Sequence, residues 1–194
     1  MPAAIQFDFS RAVARATHLF WKNGYRNTSV RDLMKVMTIG EGSFYNTFRS
    51  KRYLYLECLK HYNLTVNQRR LNALLEQKSV KEGVRAFFRT LLDDLDNPRT
   101  PALCMLAGSV SADVLADREL SRVVLDDMAA FSRSFSERLA VAKLAGELQA
   151  DFNEKTATRV LVTFLMGLFR TIRVLYSRSE MEEEVEMLLR GLNL

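Results

Sequence analysis

Few side chains in this 194-residue sequence are of a kind and spacing to do covalent or acid–base chemistry. There are two histidines, His18 and His61, and two cysteines, Cys58 and Cys104. Neither cysteine has a His or a second Cys at metal-ligand spacing. No G-x-S-x-G elbow is present, and no base lies near either thiol in sequence. Asp93, Asp94 and Asp96 could share a proton, but they are expected on the exposed side of a helix. The sequence therefore argues against an enzyme and calls for no metal or other cofactor. A redox sensor acting through Cys104 or Cys58 is an alternative; it requires a thiolate in an accessible, electropositive setting, whereas a lone buried cysteine is inert. A small-molecule-binding helical protein or enzyme that recognises no macromolecule is the remaining rival.

The chemistry on offer is polar recognition. Residues 38–52 read TIGEGSFYNTFRSKR: two glycines around a glutamate, then Ser43, Tyr45 and Asn46, then a basic run. GEG is not a nucleotide-binding fingerprint, because no strand precedes it and no Walker lysine follows. Phe44 and Phe48 keep helical spacing and are expected in a core. Tyr45 reads either as an exposed contact or as a half-buried ring. The charge distribution points the same way. Residues 1–60 carry ten Lys/Arg against four Asp/Glu, a net +6, whereas the other 18 bases and 19 acids leave −1. That asymmetry suits a polyanion-binding head on a neutral body; a basic solvated surface without a partner would read alike.

These residues must be positioned by helices. Phe9, Val13, Ala16, Leu19 and Phe20 recur at helical spacing, with Trp21 packing at the end and Gly24 as stop. Thr28 or Ser29 can cap the next helix, with Asp32 returning the bond; Val30, Leu33 and Val36 or Met37 form its inner face. Thr38-Ile39-Gly40 makes a turn, a third short helix follows, and Ser50 caps a long fourth helix from Lys51 through Gln77. Two short helices about a tight turn, steadied by a helix before them, form a helix-turn-helix. The glycines are expected to permit the sharp turn and close backbone approach to a phosphate, which free amides at the third helix's start would attract.

The stretch from Ala12 to about Tyr62, with LFWKNGYRNTSVRDL and IGEGSFYNTFRSKRYL, resembles the DNA-binding domain of TetR family transcriptional regulators. The resemblance places Thr28, Ser29 and Arg31 at the DNA from the second helix. It places Gly40, Glu41, Gly42, Ser43, Tyr45 and Asn46 there from the third, and Lys51 at a phosphate. Two departures stand out. Family members often carry Ala-Gly at the turn, where this chain has Met37-Thr38, and Ser-Lys or Ser-Arg ahead of the third helix's glycine, where it has Gly40-Glu41. Glu41 either accepts from a cytosine amino group or simply favours the helix dipole.

The rest reads as amphipathic helices over 80–96, 101–116, 117–145, 154–176 and 180–192, with no convincing strand. The expectation is an all-α chain of about nine helices. A three-helix helix-turn-helix head spans residues 4–64, helix four straddles the boundary, and a ligand-binding and dimerisation body spans 65–194. The 154–176 helix is apolar on more than one stripe, as a helix buried on several faces must be. A twofold seam is therefore expected from Leu161, Leu165, Leu168, Phe169, Ile172, Val185, Leu188 and Leu192; the alternative is the central helix of a monomer. By the resemblance the body would bind a small-molecule effector that releases a repressor dimer from double-stranded operator DNA. Phe87, Phe88, Leu91, Cys104, Met105, Gly108, Phe131 and Phe135 would line the pocket, which suggests an apolar or aromatic ligand. No apolar run is long enough to span a membrane and the N-terminus lacks a secretory pattern, so a cytoplasmic setting is expected.

Overall fold

The computed structural model describes residues 8–101 and 104–194, apart from the side chain of Arg173. Helix α1 (Phe9–Asn23) opens at Asp8, whose carboxylate accepts from the Arg11 amide at 3.0 Å, and ends at Gly24 with φ 78°. It buries Ala12, Val13, Ala16, Thr17 and Phe20 and packs against α2 (Val30–Met37) and α4 (Lys51–Tyr62). Ser29, rather than Thr28, caps α2, with Asp32 completing the reciprocal box. Helix α3 (Glu41–Phe48) buries Phe44 and Phe48, and Ser50 caps α4 by accepting from the Tyr53 amide at 3.1 Å.

The expected long fourth helix is one helical path that changes winding. After α4, residues Asn63–Asn67 form a π-helical turn, and α5 (Gln68–Leu75) continues from it. The head thus joins the body through unbroken helix. Helix α6 (Val80–Asp96) lies against α5. A Cβ on Gly83 would meet the Leu74 carbonyl oxygen at 2.4 Å, so this crossing requires glycine. Within the helix expected over 101–116, residues 102–103 lie outside the described residues. The rest divides into α7 (Met105–Ser109) and α8 (Ala112–Leu115), broken at Val110. Helices α9 (Arg118–Leu144), α10 (Glu154–Leu175) and α11 (Arg178–Gly191) complete the body, with α10 on α9 and α11 on α6. No strand occurs among the described residues, and the architecture is all-α as expected.

The body core centres on rings. Phe87 meets Phe88, Phe131 and Phe135 with centroids 4.9–5.8 Å apart, and Phe88 meets Phe164. Asp94, expected on an exposed face, is instead buried beside an equally buried Arg70, whose Nε donates to it at 2.9 Å; Arg69 also donates to it. Burial of both charges is tolerable because each is hydrogen-bonded to the other. Asp93 and Asp96 do face outward, where Arg178 bridges both and ties α11 to α6.

The residues expected at a subunit seam need correction. Leu161, Leu165, Leu168, Phe169, Ile172 and Val185 are all 4% exposed or less within the single chain. They serve its own core, while Leu188 and Leu192 are half-buried against it. The stripe of α10 left outside is Val160, Thr163, Gly167, Arg170, Thr171 and Val174, with Met187 exposed on α11.

Candidate nucleic-acid interface and effector cavity

The inner face of α3 fixes its outer face. Phe44 and Phe48 are fully buried, and Phe9 stacks on Phe48 at 5.5 Å. Helical geometry then turns Ser43, Tyr45 and Asn46 outward, and all three are exposed, Tyr45 by 47%. Tyr45 sits edge-on to Phe44, so the phenol's apolar body rests on the core while its hydroxyl reaches water. Gly40, Glu41 and Gly42 are exposed around the start of the helix. The glycines do not serve the turn as expected: Gly40 has φ −81°, and a Cβ on either Gly40 or Gly42 would meet nothing within 4 Å. Positive φ falls on Thr38 and Arg49 instead. Open space above these two glycines leaves room for another molecule's backbone to approach.

From α2, Arg31 and Ser29 are exposed, but Thr28 is fully buried and its hydroxyl donates to the Gly24 carbonyl at 2.7 Å. Thr28 therefore holds the α1–α2 connection and offers no surface to a ligand. Lys51 is half-buried, with its ammonium 4.4 Å from the centroid of the Tyr25 ring. Burial lowers its pKa from the ordinary lysine value. This cation–π seat could not be read from spacing, because Tyr25 lies 26 residues earlier.

The junction of head and body is polar, buried at Tyr55 and Ser109 and exposed at its edges. Tyr55 of α4 stands 2.6 Å from Ser109 of α7 and touches Tyr25 and Phe20. Burial pushes the Tyr55 hydroxyl up to about 12. Arg52 bridges Asp117 and Glu119 at the start of α9. His18 lies 3.0 Å from the Arg99 carbonyl.

In the body, an open cavity of about 550 Å³ is lined by Cys104, Gly108, Met128, Met166, Phe169, Arg170 and Val174 among others. An inner recess with room for about one water, about 10 Å³, shares Cys104, Met128, Met166 and Phe169 and adds Asn67, Arg70, Phe87, Leu91 and Phe131. Of the expected lining, Phe87, Leu91, Cys104, Gly108 and Phe131 are at these walls. Phe88, Met105 and Phe135 instead pack in the core. Arg70, Asn67, Met128 and Met166 were missed, since their approach depends on how α5, α9 and α10 cross. Both thiols are buried. Burial raises that of Cys58 to about 12, and its Sγ faces the Val13 carbonyl at 3.8 Å. Cys104 Sγ accepts from the Tyr62 hydroxyl and the Ala107 amide, each at 3.5 Å.

No helix among the described residues is long and apolar enough to cross a membrane. Residues 12–58 match the model of the bacterial regulatory proteins of the tetR family. An uncharacterised HTH-type transcriptional regulator, YezE of Bacillus subtilis, is 28% identical over 185 residues, 95% of each chain. The HTH-type transcriptional repressor DhaR of a Mycobacterium species is 27% identical, covering 72% of this chain and 73% of that one. Among solved structures, a cysteine mutant of the TetR family transcriptional regulator CifR with 26-bp double-strand operator DNA superposes with TM-score 0.89. It is 26% identical and is covered over 98% of its length by 96% of this chain. The head with its outward α3, the all-α body and these likenesses agree: residues 12–58 form a DNA-binding domain of the tetR family of bacterial regulatory proteins, and the chain is a helix-turn-helix transcriptional regulator of that kind.

Proposed function

We propose that the chain is a homodimeric repressor that binds double-stranded operator DNA through α3 and leaves it when a small, largely apolar effector enters the body. The observation that carries the DNA reading is the face of α3. Ser43, Tyr45 and Asn46 are exposed beside two glycines with open space above them, in a head of net charge +6. Short polar tips on a helix that can enter the major groove read base edges, while exposed basic side chains and free amides position it on phosphates. The likeness to a CifR structure holding operator DNA supports the same role. Arg31 from α2 and the amides at the start of α3 would meet phosphates. Lys51 would do so only by leaving Tyr25 or by presenting its ammonium from above the ring.

The dimer would use the outward stripe of α10 (Val160, Thr163, Gly167, Thr171, Val174) with Met187, in place of the buried residues beneath. Gly167 has nothing near its missing Cβ, so a second helix could approach closely there. Arg170 and Val174, both on the outward face of α10, also line the cavity, so on this reading the effector site would adjoin the seam. The cavity's volume falls in the range of small-molecule sites; its walls mix Met128, Met166, Phe169 and Val174 with Cys104 and Arg170, and the recess beneath adds Phe and Leu with Arg70 and Asn67 as its polar groups.

Coupling would run through α7. That helix and its cap supply Cys104, Ala107 and Gly108 to the cavity and Ser109 to Tyr55, which touches Tyr25, which carries Lys51. An effector that displaced α7 would disturb the seat of the head.

The test is selection of genomic fragments by the purified chain, followed by gel shifts at several salt concentrations. One or a few fragments should be enriched and bound at nanomolar concentration at physiological salt. Binding no tighter than to random duplex would overturn the reading.

A further inference from the structure

We propose that Arg15 of α1 is a positioning residue for DNA recognition: it pins a left-handed turn at Thr38 that sets the direction in which α3 leaves α2. The proposal rests on the reading of α3 as the DNA-contacting helix.

Thr38 has φ 61° and ψ 46°. A β-branched residue in this region is an outlier, because its Cβ substituents crowd the backbone; glycine is the usual occupant at a helix end of this kind. The helix-ending hydrogen bonds are nevertheless in place. The Ile39 amide donates to the Met34 carbonyl at 3.1 Å, and the Thr38 amide to that of Lys35 at 3.3 Å. The turn therefore has the geometry a glycine would give, held with a residue that resists it. A sparsely populated backbone conformation persists only where its surroundings over-determine it.

The surroundings are supplied by α1. Arg15 Nη1 donates to Thr38 Oγ1 at 2.9 Å and to the Val36 carbonyl at 3.3 Å. One nitrogen thus grips the side chain of the strained residue and the backbone two residues before it. A glycine would offer no Oγ1 to hold, so the threonine and the arginine act together. Only Ile39 and Gly40 separate Thr38 from Glu41, the first residue of α3. A change in the dihedrals of Thr38 is transmitted to the whole of α3 with little chain to absorb it. Arg15 is half-buried on α1 and acts on DNA through the turn.

The test is a set of variants of the full chain: Arg15→Ala, Thr38→Gly, Thr38→Val and the double variant Arg15→Ala/Thr38→Gly. Two readouts are taken: affinity for a selected genomic fragment across a salt series, and amide hydrogen exchange over residues 38–42 without DNA. Arg15→Ala should weaken binding about tenfold, the equivalent of one charge-assisted hydrogen bond. The salt slope should stay unchanged, and exchange should quicken. Thr38→Val, which keeps the branched Cβ and loses the hydroxyl, should do the same. Adding Thr38→Gly to Arg15→Ala should return both readouts to within about threefold of the parent, because glycine needs no brace. Equal losses from Arg15→Ala in the parent and in the Thr38→Gly background would overturn the proposal. So would a fall of about one in the salt slope, which would make Arg15 a phosphate contact. A parent chain that bound no fragment would defeat the DNA reading, and with it the recognition role; the exchange cycle would still decide whether Arg15 holds the turn.

Discussion

The hydroxyls of Tyr55 and Ser109 lie 2.6 Å apart, both residues buried, one in the helix that begins beside α3 and the other in the short helix that walls the cavity. The two are not equivalent. Ser109 also reaches the Met105 carbonyl at 2.7 Å, so it keeps a partner if Tyr55 becomes Phe. Among the described residues, the Tyr55 hydroxyl has Ser109 as its hydrogen-bond partner. Ser109→Ala should therefore be the costlier change, about 1–3 kcal/mol for an orphaned buried hydroxyl against about 1 kcal/mol for Tyr55→Phe. Denaturant unfolding of both variants checks the order; the reverse order would mean that the serine, not the tyrosine, depends on the pair.

Alkaline stability draws on buried acids, Tyr55 and Cys58 among them. Tyr55 moves from 10.0 up to about 12, and Cys58 from 9.0 up to about 12, each chiefly by burial. A raised folded value on a group that is neutral when protonated means that folding favours the bound proton. The contribution is complete below the unfolded value and is lost as pH rises toward the folded one. Stability should be flat with respect to these groups up to about pH 9, then fall by roughly 1.4 kcal/mol per pH unit for each group titrating in the unfolded chain. In Cys58→Ala the onset should move to about pH 10. Unfolding free energy measured from about pH 8 to 11 decides it, and an onset unmoved by Cys58→Ala would contradict it.

Gly42 separates stability from recognition. It lies within a helix with open space where its Cβ would be, so Gly42→Ala should stabilise the chain by about 0.5–1 kcal/mol. If DNA backbone approaches this surface, the same methyl should weaken operator binding at least about tenfold, about 1.4 kcal/mol. Tyr45→Ala, on an exposed side chain, should weaken binding without lowering stability by more than about 0.5 kcal/mol. Gel shifts beside thermal melts read both effects; unchanged binding in both variants would remove α3 from the interface.

The seam makes a separate prediction. Val174 is 81% exposed on the outward stripe, whereas Leu165 is 2% exposed beneath it. Val174→Glu should split the dimer and leave the melting behaviour of the protomer nearly intact. Leu165→Ala should lower stability by about 2–5 kcal/mol, as core truncation does. Sedimentation velocity and melts distinguish them; a dimer unaffected by Val174→Glu would place the seam elsewhere.

How much of this was readable in the sequence depends on how local each determinant is. The head was legible because its signals sit within a few residues of one another: Gly24 at the end of α1, the Ser29–Asp32 box, Ser50 before α4, Phe44 and Phe48 one turn apart. Thr28 was misplaced because a threonine beside an N-cap reads the same whether its hydroxyl faces DNA or the Gly24 carbonyl. Helix α10 carries two apolar stripes, and no rule internal to one helix says which one meets α9; the richer stripe went inward, leaving Val160 and Val174 outside. Asp94 looked solvated because its partner Arg70 is 24 residues away on another helix. The αL turn at Thr38 was likewise unreadable, since the residue that holds it comes from α1.

The central claim is that two copies present paired α3 helices to one duplex. Hydroxyl-radical footprinting of a selected genomic fragment with the full chain tests it most directly. Two protected half-sites of inverted sequence, about 34–36 Å centre to centre or a multiple of that spacing, are predicted. A single protected patch without inverted symmetry, or no protection at concentrations that saturate the gel shift, would contradict it.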